Sequence, residues 1–84
     1  MPGGLDRLNL LKNAYVEALG VEPSSDFENF EYAKTKGWDS VAHMRLIAAI
    51  ESAFDIMLAT EDVIDMSSFR KAREILGKYD VTFD

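Results

Sequence analysis

The chain has 84 residues, 48% of them hydrophobic, a formal net charge of −6 and no cysteine. That length makes one small domain over 1–84, with a core expected across about residues 5–79, and the missing cysteines exclude a disulfide framework or a thiolate metal site. The acidic balance argues against nucleic acid and anionic membrane as partners, because both require clustered Lys and Arg, and it favours basic protein surfaces.

In chain order, Leu5, Leu8, Leu11, Tyr15, Ala18 and Leu19 recur at steps of three and four, which is one face of a first α-helix. Asp6 suits its first turn and Gly20 its stop. Residues 21–39 hold no sustained period and carry Pro23, Ser24, Ser25, Asp26 and Asn29, so they are expected to form a long ordered loop. Phe27, Phe30, Tyr32 and Trp38 would anchor that loop on the core. From Ser40 to about Ile56 the helical pattern returns, with Ser40 as the expected N-cap and Leu46, Ile47, Ile50, Ala53 and Phe54 as the inward stripe. Thr60 is then expected to cap a short helix, TEDVIDM, whose Glu61 and Asp62 suit its positive end. Ser67 or Ser68 would cap a final helix carrying Phe69, Ala72, Ile75, Leu76 and Tyr79 inward and ending near Gly77 to Tyr79. No segment alternates with period two, so the expected fold class is all-α, a small bundle of three main helices plus one short helix. No apolar run approaches the ~20 residues of a membrane span, and no opening segment has the basic-then-apolar pattern of a signal peptide, so a cytoplasmic monomer is expected.

The helix after Ser40 carries a second apolar stripe. Val41, Met44 and Ala48 are spaced by three and four, and Val41 lies about 140° from Leu46 around the helix axis. A domain this small has little room to bury a helix all round, so the second stripe is expected to be a docking surface beginning beside Ser40. Charge is also uneven. Glu51, Asp55, Glu61, Asp62 and Asp65 form an acidic stretch, offered either as a solvated face or as a partner surface, whereas the last helix is rich in Arg70, Lys71, Arg73 and Lys78. Ser40 lacks a credible base. His43, the sole histidine, lies three residues on in the same helix and is expected to be a surface or contact residue.

The order of elements, with Asp39-Ser40-Val41 opening an amphipathic helix and Glu51-Ser52-Ala53-Phe54-Asp55-Ile56 closing it, resembles the acyl carrier protein family over nearly the whole chain. The resemblance implies that Ser40 is the attachment point of 4′-phosphopantetheine, placed there from coenzyme A by a phosphopantetheinyl transferase with Mg²⁺ in the transferase. It implies that Asp39 helps that enzyme recognise the site, and that Val41 and Met44 meet partner enzymes, with Arg45 and Ala48 on the same face. It implies no catalytic residue and no metal ligand in the chain itself. The partners would be acyl-loading, synthase and transferase enzymes of one pathway. Val41 stands where leucine is usual, and Ala42, Arg45 and Ser52 stand where acids are common, which points to a dedicated pathway rather than general fatty-acid synthesis. Gly37-Trp38-Asp39-Ser40 leaves an aminoacyl or peptidyl carrier as the nearest alternative, and a helical interaction module without a prosthetic group as a second.

Overall fold

A computed structural model describes residues 3–83, with side chains from Asp6 onward, so the expected inward placing of Leu5 lies outside the described side chains. The architecture is all-α. Helix α1 spans Gly3–Leu19, α2 Ser40–Phe54, α3 Thr60–Asp65 and α4 Phe69–Gly77, and a single 3₁₀ turn at Phe27–Asn29 interrupts the long loop. Among the described residues there is no strand, only an isolated antiparallel bridge between Glu31 and Ser68. No described helix is long and apolar enough to cross a membrane.

α1 packs chiefly along α2. From α1 come Leu11, Ala14, Tyr15, Ala18 and Leu19, all buried, and from α2 come Leu46, Ile47 and Ile50. The loop closes one end of this pair with aromatic side chains, as expected for Phe27, Phe30 and Trp38, which are buried. The Tyr15 ring lies edge-on to Trp38 at 5.2 Å and to Phe69 of α4 at 5.1 Å. Such pairs each add about 0.5–1.5 kcal/mol beyond area burial. Tyr32 departs from the expectation and stays exposed. The core also takes Leu58, Met66 and Val81, three positions outside any helical stripe and therefore invisible to periodicity.

One position on α2 corrects the expected stripe, and a second packs on the core only in part. Ala53 is exposed and Phe54 only half-buried, where it meets Phe83 edge-on at 6.3 Å. The helix ends there. Asp55 adopts a left-handed conformation, with φ 52° and ψ 51°, and its N–H bonds back to the Glu51 carbonyl.

Two of the caps differ from the expected residues, and the third is one of the two expected candidates. Asp39, not Ser40, caps α2, its carboxylate accepting from the Ala42 N–H at 2.9 Å. Ala59, not Thr60, precedes α3, and it caps without a side-chain bond. Ser68 rather than Ser67 caps α4, accepting from the Lys71 N–H at 3.0 Å. In each case the capping position is the residue with extended backbone just before the first helical turn, and one residue of register separates it from the sequence-based choice at α2 and α3.

The acidic stretch and the basic end of the last helix meet at one ion pair among the described residues, Asp62 with Lys78. Asp62 is buried, with Lys78 and Tyr79 of the α4 end both donating to its carboxylate, and the Tyr79 hydroxyl in turn accepts from the Ala59 N–H. Those bonds, first from Lys78 and then from Tyr79, hold the Asp62 carboxyl below the usual carboxylate range. On the other side Arg73 grips Glu28 through two nitrogens, tying the loop to α4.

Candidate functional site

The site is built by the last residues of the loop. Gly37 takes φ +89°, and a β-carbon there would lie 2.8 Å from the Leu19 carbonyl oxygen at the end of α1. Only glycine permits both the conformation and the close approach. The next residue, Trp38, turns inward and is buried, and Asp39 turns back to cap α2. Ser40 follows as the first helical residue and is exposed, with its side chain at the rim of the bundle. Asp39 takes the capping role, which leaves the Ser40 hydroxyl free of it.

His43 sits one turn beyond and is not a free surface group. The Trp38 indole N–H donates to His43 Nδ1 at 3.0 Å, and His43 Nε2 lies 2.7 Å from the Val63 carbonyl oxygen of α3. An indole N–H can only donate, so Nδ1 is the acceptor and the ring hydrogen is on Nε2, donating to Val63. The ring also stacks on Trp38, at 6.0 Å and 21°, and meets Tyr32 edge-on at 5.3 Å. Where the sequence predicts a surface or contact residue, His43 is half-buried and acts as a strut between the loop, α2 and α3. With both ring nitrogens occupied, it offers Ser40 no base.

Beside Ser40 the strut forms the floor of an apolar cleft of about 370 Å³, walled by Met44 of α2, Val63 and Ile64 of α3, and Met66. Tyr32, Ser40 and Ser67 complete its lining. A cleft between α2 and α3 has no sequence signature of its own. Its walls come from two helices and a loop that only the tertiary structure brings together.

The expected docking residues lie where the second stripe placed them. Val41 and Met44 are each 60% exposed, and Arg45 and Ala48 are exposed on the same side of α2. The loop does not cover them. Ala42, by contrast, is buried at 6%, so an acid there would have to enter the core.

The acidic partner surface does not assemble as expected. Glu51 is half-buried and accepts from the Leu58 N–H at 2.9 Å, bracing the α2–α3 connection. Asp62 is buried and paired. Asp65 lines a surface hollow with Lys71, Glu74 and Lys78 on the α4 side, and Asp55 stands exposed at the far end of α2. Glu61 is exposed on α3. With Asp62 buried and Glu51 half-buried, the five acids therefore do not form one exposed patch at the end of α2 and along α3.

Among the described residues, no group of three or more His, Asp or Glu side chains converges as a metal site. Comparison with known proteins adds no relative: no family model matches the chain, and no curated protein or solved structure matches it.

Proposed function

We propose that this chain is an acyl carrier, a small protein that holds an acyl group as a thioester on a 4′-phosphopantetheine arm attached to Ser40. The observation that carries the reading is the pairing of Asp39 with Ser40: the acid caps α2 through its side chain and the serine hydroxyl is left exposed at the helix start. A hydroxyl that another protein must modify has to be presented in this way. In the proposed reaction it loses its proton and forms a phosphodiester with the phosphopantetheine phosphorus, and the nucleotide half of coenzyme A leaves.

The residues present fit such a group. The Ser40 side chain opens onto solvent and onto the apolar cleft, whose Met44, Val63, Ile64 and Met66 walls suit hydrocarbon. The bound arm supplies a thiol, which this cysteine-free chain lacks. Tethering would raise the effective concentration of cargo at a docked enzyme. Asp39, Val41, Met44, Arg45 and Ala48 surround the point of approach and would meet the transferase and the pathway enzymes. Arg45 and Ser52 at exposed positions of α2 favour a dedicated pathway over general fatty-acid synthesis.

The test is intact mass after co-expression with a broad-specificity phosphopantetheinyl transferase. The chain should gain one phosphopantetheinyl mass and the Ser40→Ala chain none, with the thermal melt of Ser40→Ala near that of the parent because Asp39 remains to cap the helix. A gain of mass by Ser40→Ala would remove the assignment.

A further inference from the structure

The exposed face of α2 carries one charge, and it is positive. Val41, Met44, Arg45, Ala48 and Ser52 fall within about 100° around the helix axis, and all five are exposed. Among the described residues Arg45 makes no ion pair or side-chain hydrogen bond. The acids nearest to it in sequence each accept a backbone bond: Asp39 from the Ala42 N–H and Glu51 from the Leu58 N–H. Arg45 therefore stands unpaired on the flank of the apolar stripe, between Val41 and Ala48 along the helix.

Any partner that covers both Val41 and Ala48 must also cover Arg45, which lies four residues from one and three from the other. Burying an unpaired guanidinium against an apolar surface is strongly unfavourable, and a carboxylate satisfies it through two parallel N–H···O bonds. Resting on the carrier reading above, we infer that the enzymes docking on this face present an apolar socket with a carboxylate set against Arg45, rather than a basic groove.

A second copy of the chain does not fit the same face. A two-fold contact through α2 would bring the same stripe to both sides, and the stripe holds no free carboxylate to meet the arginine. Anionic lipid does not fit either, since a single cation on a chain of net charge −6 gives no cluster for it to bind. What remains is a different protein bearing an acid.

The probe is the phosphopantetheinyl transferase of the chain's own host, which must dock beside Ser40, assayed by kcat/KM on the full chain. Arg45→Glu should lower kcat/KM by about tenfold or more, mainly through KM, with Arg45→Lys intermediate. Changing the carboxylates on the transferase's carrier-binding face to lysine one at a time should yield one variant that recovers the Arg45→Glu chain. The thermal melts of the Arg45 variants should match the parent, because Arg45 supports no described contact. Unchanged or improved kinetics for Arg45→Glu, or the absence of any compensating reversal, overturns this inference while leaving the carrier reading intact. A chain that takes no arm from any transferase removes both.

Discussion

Replacing His43 would dismantle the strut that joins the loop, α2 and α3, and its cost follows from the structure. His43→Ala removes both bonds and leaves the indole N–H of Trp38, a side chain 1% exposed, without a partner. A typical lost hydrogen bond costs about 0.5–1.5 kcal/mol and an orphaned buried donor about 1–3 kcal/mol, so the expected loss is about 2–4 kcal/mol. A domain of this size is stable by roughly 4–13 kcal/mol in all, and each kcal/mol moves its midpoint by about 4–8 °C. The melt should therefore fall by about 8–32 °C. Two half-deletions separate the bonds. His43→Asn keeps an acceptor near the Nδ1 position for Trp38 and loses Val63, whereas His43→Gln keeps a donor near the Nε2 position for Val63 and orphans Trp38. Urea titration followed by circular dichroism and by Trp38 fluorescence should rank the parent above both half-deletions and both above alanine. In the native baseline, His43→Gln should shift the Trp38 emission more than His43→Asn does. An alanine chain within about 0.5 kcal/mol of the parent, the range of an ordinary surface change, would refute the strut.

Two further outcomes test the packing. Asp62 has a folded-state pKa below its unfolded value of about 3.9, so its contribution is fully present above that value and is lost as pH falls through the lower folded one. Asp62→Asn should lower the thermal midpoint at pH 7 and flatten the acid limb of a stability–pH curve below about pH 4; parallel limbs for parent and variant would show that the Lys78 and Tyr79 bonds do not couple to folding. The Tyr15 hydroxyl is buried with no hydrogen-bond partner among the described residues, and burial pushes its phenol pKa up. Tyr15→Phe should therefore raise stability by about 1 kcal/mol in a urea titration; a loss of that size would mean that the hydroxyl is satisfied.

What the linear sequence determined is the helix inventory and its inward faces. Leu11, Tyr15, Leu46, Ile50, Phe69 and Leu76 are buried where a 3.6-residue period put them, because helix periodicity is a local property written in neighbouring residues. The start of α2 was legible to within one residue, and that one residue reassigns the cap from Ser40 to Asp39. Either oxygen-bearing side chain can cap, so the choice rests on which backbone turns extended, and Gly37 pressed against the Leu19 carbonyl decides it. The exposure of Val41 and Met44 followed from the second stripe on a helix too small a domain could not enclose. The roles of His43, Glu51 and Asp62 did not follow. Each looked like a surface group, and each is committed to an atom seven or more residues away: Val63, Leu58, and Lys78 with Tyr79. Partners at that separation leave no periodic mark, and neither does the cleft they frame beside Ser40. Each of these polar side chains is held inward by the acceptor or donor that folding brings to it, since burial without one is costly. That supply of partners is a property of the assembled tertiary structure alone.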